Sequence, residues 1–100
     1  MYRLKYLPLA LKDLSDITNY IANTLKAPKA ALDFVNTFEN SILRLQEFPY
    51  SCKIYKTIQE LNFEYRMFPV KNYLVFYIVT ENEVEIHRII YKKRNLENLI

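Results

Sequence analysis

The stretch NFEYRMFPVKNYLVFYIVTENEVEIHRIIY, from Asn62 to Tyr91, decides the fold. In NFEYRMFPV, Phe63, Tyr65 and Met67 alternate with Glu64, Arg66 and Phe68, the two-residue repeat of a strand whose faces see different surroundings. YLVFYIV, Tyr73 to Val79, has no polar interruption and is dense in β-branched and aromatic residues, so it reads as a central strand covered on both sides. In VEIHRIIY, Val84, Ile86 and Ile89 point inward while Glu85, His87 and Arg88 compete for the exposed side, a pattern that an irregularity near Arg88 reconciles. The links VKNY and TENE are short enough to predict antiparallel hairpins. The chain has no glycine, so Asn72 and Asn82 are the residues expected to accept left-handed backbone angles. For the same reason no Gly-rich phosphate loop and no dinucleotide fingerprint can be built.

Upstream the period changes. From Pro8, a residue suited to a first helical turn, Ala10, Leu14, Ile17, Ile21 and Leu25 recur at helical spacing, with Lys12, Asp13, Asp16 and Asn19 opposite. A second stripe, Ala31, Phe34, Val35, Phe38, Ile42 and Leu45, predicts another helix ending near Phe48 and Pro49, and KAPKA at 26 to 30 is the turn between them. The opening YRLKYL, Tyr2 to Leu7, alternates Tyr2, Leu4 and Tyr6 with Arg3 and Lys5 and is expected to join the sheet as an edge strand. Pro49 to Gln59 reads as a polar surface connection. The expected architecture is α+β: an N-terminal strand, a two-helix hairpin, then a three-stranded antiparallel meander, with both helices on one face of the sheet. With 100 residues, 51% of them apolar, the chain is expected to form a single domain over residues 1–100.

Composition narrows the function. The longest apolar run is about seven residues, against roughly 20 for a membrane span, so no membrane association is expected. Arg3, Lys5, Lys12 and Asp13 interrupt any apolar leader, and Cys52 is alone, so neither an internal disulfide nor a cysteine zinc site is available. A cytoplasmic protein without cofactor or metal is the expectation. The net charge of +3 says little, but its placement says more: Arg66, Arg88, Lys92, Lys93 and Arg94 lie on or beside the strands, where hairpin pairing would bring Arg66 towards the end of the last one. Lysine and arginine contacts supply most non-specific nucleic-acid affinity, and neighbouring tyrosines can stack on bases. The plainer reading pairs Arg66 with Glu64 or Glu85 and leaves the lysines to solubilise the surface. His87 reads as a structural or surface strand residue beside Glu85, Glu64 as an ion-pair partner rather than a base, and Cys52 has no adjacent base to make it a nucleophile.

Taken together, PLALKDLSDITNYI (with Ala10, Asp13, Leu14, Ile17 and Tyr20), PKAALDFVNTFENSILRLQEFP, YRMFPVKNYLVFYIV and VEIHRIIYKKRN resemble, in order and spacing, the RelE/ParE superfamily of toxins from bacterial type II toxin-antitoxin modules. The resemblance spans nearly the whole chain. It implies a growth-inhibiting toxin, of the kind tied to plasmid stabilisation, neutralised by a cognate antitoxin protein that wraps the helical hairpin and sheet edge. Leu9, Leu11, Leu32, Tyr55 and Ile58 are the apolar residues the core does not obviously need, and so the expected contacts for such a partner.

Two molecular activities follow from that resemblance. RelE-like members cut messenger RNA on the ribosome without a metal; under that reading Arg66 and Arg94 fall at basic positions of the active site, Tyr91 joins them as a catalytic candidate, and Arg88, Lys92, Lys93 and Tyr73 contact the nucleic acid or other target. ParE-like members poison DNA gyrase without known nuclease chemistry. The chain departs from the cleaving pattern at Tyr73, where many members carry arginine. It departs from the gyrase-directed pattern at Tyr91, which takes a histidine position, and at Arg94 with Asn95, which takes an Arg-Asp position. With an ordinary pKa near 10, Tyr91 is a poor general base. The gyrase-directed branch is favoured, the ribonuclease is the alternative, and an inactive homologue that retains antitoxin binding is the third reading.

Overall fold

A computed structural model describes residues 1–56 and 61–94. Strand β1 (Arg3–Tyr6) leads into helix α1 (Pro8–Asn19), which starts on the expected proline. The helix does not stop at Asn19. It continues as a π-wound turn, Tyr20–Thr24, in which the Leu25 amide donates to the Tyr20 carbonyl at 3.0 Å, and the Ala27 amide beyond it closes the end on the Ile21 carbonyl at 3.0 Å. Lys26 takes a positive φ of 53° just beyond it, the left-handed residue that closes a helix end. Helix α2 (Pro28–Glu47) then runs back, burying Ala31, Phe34, Phe38, Ile42 and Leu45 along the predicted stripe.

The rest of the chain is sheet. Strands β2 (Lys53–Ile54), β3 (Arg66–Val70), β4 (Tyr73–Val79) and β5 (Glu83–Tyr91) join β1 in the order β1-β5-β4-β3-β2. The meander β3-β4-β5 is antiparallel as the short links predicted, whereas β1 pairs with β5 in parallel, Arg3 opposite Glu83 and Tyr6 opposite Ile86. A parallel neighbour needs a long crossover, and the helical hairpin together with the meander supplies it. Both helices lie on one face: Ala10, Ile17, Phe34, Phe38, Ile42 and Leu45 pack with Phe68, Val70, Val75, Tyr77, Val84, Ile86 and Ile89 in one core. A fully buried aromatic of this kind contributes about 1.5–3 kcal/mol through apolar burial alone, so Phe34 and Phe38 fix the hairpin on the sheet.

Three expectations need correction. The connection after Pro49 is not simply surface loop, because β2 pairs with β3 through Lys53–Met67 and Ile54–Arg66. The ladder of β3 begins at Arg66, so Phe63 and Tyr65 belong to the connection despite their strand-like alternation. Among the described residues the left-handed angles fall on Lys26 and Lys71 rather than on Asn72 or Asn82. The irregularity near Arg88 is present: Phe76 pairs with Arg88 and Tyr77 with Ile86, which leaves one extra residue in β5. Beyond that bulge the alternation is reset, so Val84, Ile86 and Ile89 all reach the helix-side core.

Candidate functional site

The bulge aims two neighbouring side chains in different directions. Arg88 turns to α1, where its Nε donates to Asp13 Oδ2 at 2.8 Å and its Nη2 to Oδ1 at 3.2 Å, while the Ile89 amide donates to the same Oδ2 at 2.9 Å. Asp13 thus accepts three hydrogen bonds from β5. The pair is mostly shielded, with side-chain exposures of 18% for Arg88 and 12% for Asp13, so Arg88 welds helix to sheet instead of offering a bare charge to a target.

That pair lines a half-open cleft of about 850 Å³ at one end of the sheet. Its walls are the π-wound turn with Tyr20, Ile21 and Leu25, the start of α2 with Asp33 and Phe34, the β3–β4 turn with Lys71 and Asn72, and the end of β5 with Tyr91 and Arg94. Tyr73 and Tyr91, opposite each other across β4 and β5, stand edge to face at 5.7 Å, and Tyr73 meets Phe34 at 5.4 Å. Burial first, then the nearby phenols of Tyr20 and Tyr91, pushes the Tyr73 hydroxyl above the ordinary tyrosine value. Next to the cleft, Lys92 and Lys93 lie exposed in the turn after β5, which the Lys92 amide ties to the Asn72 carbonyl at 2.9 Å and the Arg94 amide to the Tyr91 carbonyl at 3.1 Å. Lys71, Lys92, Lys93 and Arg94 therefore gather at one end of the sheet. Periodicity offered no sign of Lys71, Tyr20 or Asp33 as neighbours of this site, since the hairpin register and the π-wound turn bring them there.

Arg66 is elsewhere. It pairs with Tyr77, while Val70 pairs with Tyr73 and Tyr73 with Tyr91, so Arg66 lies four residues up β3 from the cleft end, about 13 Å along the strand. Hairpin pairing thus separates Arg66 from the end of the last strand, opposite to the sequence expectation. Its Nη1 donates to the Cys52 carbonyl at 2.7 Å and the Tyr50 carbonyl at 3.4 Å, its guanidinium lies 5.1 Å from the Tyr50 ring centre, and Glu64 is a looser partner at 3.9 Å. The Glu64 pairing matches the plainer sequence reading. His87 is buried, hydrogen-bonded to Tyr65 and Glu85, rather than on an open strand surface. Among the described residues there is no cluster of His, Cys, Asp and Glu able to hold a metal ion, and no helix is long and apolar enough to cross a membrane. Of the apolar residues expected to be left over, Leu9, Leu11 and Leu32 are exposed, Tyr55 is partly buried with its ring against Phe76, and Ile58 lies outside the described residues.

Comparison with known proteins places the chain. The family model for the ParE toxin of the type II toxin-antitoxin system parDE matches residues 4–96. The chain belongs to the ParE toxin family. This ParE-family protein is accordingly a toxin of the type II toxin-antitoxin class, within the superfamily that its helices and meander resembled. Among solved structures, a chain described as "Chromosomal ParDE TA system from P. aeruginosa" superimposes with a TM-score of 0.70 at 22% identity, covering 91% of this chain and 96% of that one. At that identity the likeness speaks for the α+β fold. No curated protein sequence matches the chain.

Proposed function

We propose that this ParE-family toxin acts by binding a protein target, DNA gyrase, as a non-enzymatic poison, and that a cognate antitoxin holds it inactive. The observation that carries the reading is that two of the three arginines are committed to partners within the fold. A ribonuclease of this size needs cations, a base and a proton donor around one phosphate. Arg66 is committed to the carbonyls of Tyr50 and Cys52 and Arg88 to Asp13, which leaves Arg94, beside Tyr91 at the cleft, as the one arginine of the three not held by such a bond among the described residues. Leu9, Leu11, Leu32 and Leu43, all about half exposed or more on the outer faces of α1 and α2, supply the apolar surface that an antitoxin segment would cover. Residues 1–100 are read as one functional unit.

One observation favours a second reading. Lys92, Lys93 and Arg94 are exposed beside the partly exposed ring of Tyr91, a combination that also suits RNA contact. Induction without antitoxin separates the two, followed within minutes by mapping of cut messenger RNA and by a DNA-cleavage assay with purified gyrase. Gyrase-linked DNA breaks with intact message are expected. Codon-phased cuts in translated message would replace the gyrase reading with ribosome-dependent cleavage, and normal growth with neither signal would identify an inactive homologue.

A further inference from the structure

His87 takes no part in the reading above, yet among the described residues it is, with Ser41 and the Tyr77 phenol, one of the few buried polar side chains. Both ring nitrogens are engaged: Nδ1 lies 2.9 Å from the Tyr65 hydroxyl and Nε2 lies 3.3 Å from a Glu85 carboxylate oxygen. An ionised carboxylate can only accept, so Nε2 donates to Glu85, while the Tyr65 hydroxyl, able to donate or accept, bonds to Nδ1. The rings of Phe63 and Tyr65 stand edge-on to the imidazole at 5.3 and 5.2 Å. Tyr65 in turn holds Tyr55, whose amide donates to the Tyr65 carbonyl at 2.7 Å and whose ring stands on the fully buried Phe76 at 5.1 Å.

Residues 61–65 form no strand or helix of their own. They cover the sheet on the side away from the helices without a continuous ladder, and an apolar residue at position 87 would bury as readily while giving them no directional bond. We propose that His87, presented by the β5 bulge, is the fastening that holds Phe63–Tyr65, and through them Tyr55, on this outer face, so that releasing it uncovers an aromatic surface centred on Phe76. His87 is here a positioning residue. The proposal does not depend on what the toxin acts on.

Amide hydrogen exchange of the full chain tests it, with Tyr65→Phe as the main variant because it removes one hydroxyl and keeps the ring. The Tyr55 amide is expected to exchange about five- to tenfold faster in Tyr65→Phe, and faster still in His87→Ala, while the Arg3 and Leu7 amides, bonded to the Asn82 and Ile86 carbonyls, keep their wild-type rates. An unchanged Tyr55 rate in Tyr65→Phe would overturn the proposal, as would an equal acceleration at Arg3 and Leu7, which reports global loosening. Nitrogen-15 spectra of the imidazole give a second readout. An Nδ1 resonance that shifts when Tyr65→Phe removes the hydroxyl supports the fastening, and one indifferent to that change refutes it.

Discussion

At the residue scale, the arginines show how partners change a charge's meaning. Arg88 read as a surface cation because its partner, Asp13, is 75 residues away in sequence and meets it only when α1 lies against β5. Removing the carboxylate leaves a shielded guanidinium and the Ile89 amide short of their acceptor, so Asp13→Ala is expected to cost about 3 kcal/mol in urea denaturation, and the paired Asp13→Leu, Arg88→Met change to recover most of it. Arg66 gives a different signature. Losing its charged hydrogen bonds to two backbone carbonyls should cost about 1.5–3 kcal/mol, so Arg66→Ala is expected to lower the unfolding midpoint while growth arrest persists at low temperature, where the variant stays folded. Selective loss of toxicity at full stability would instead put Arg66 at the working surface.

At the element scale, the hairpins and the bulge carry the information. A two-residue turn between Val70 and Tyr73 needs positive φ at its first position, and in this glycine-free chain Lys71 takes it at 55°. An L-residue held there is penalised by its Cβ, so Lys71→Gly is expected to raise stability by about 0.5–1 kcal/mol, read as a higher melting temperature. Asparagine composition pointed at Asn72 because its side chain tolerates that region, but strand register decides which of the two turn residues must go there. The irregularity near Arg88 was legible, since Val84, Ile86 and Ile89 cannot share a face of an uninterrupted strand. The π-wound turn was not legible: Ile21 and Leu25 fit a regular helix equally well.

At the scale of the whole molecule, buried tyrosines link stability to alkaline pH. Burial, then the neighbouring Cys52 side chain, pushes the Tyr77 hydroxyl far above its ordinary value of 10.0, and that hydroxyl donates to the Pro49 carbonyl at 2.8 Å. The unfolded chain therefore releases this proton first as pH rises, so the stability Tyr77 contributes is complete below about pH 10 and declines above it. Burial moves Tyr6, Tyr65 and Tyr73 in the same direction. Tyr77→Phe is expected to cost about 1 kcal/mol at neutral pH and to flatten the decline in unfolding free energy above pH 10. Under the proposed neutralisation by an antitoxin, co-expression with the partner should raise soluble yield and abolish growth arrest, and toxicity unaffected by it would contradict that role. The sequence by itself determined the helical hairpin, the meander, the buried central strand and the family resemblance, because periodicity of apolar residues and short turns are local properties that burial then rewards. Only the tertiary structure decided that β1 lies parallel to β5, that Phe63 and Tyr65 cover the outer face, and that Arg66 and Arg94 stay apart. Each depends on pairing between segments distant in sequence, whose register and charge partners no local pattern encodes.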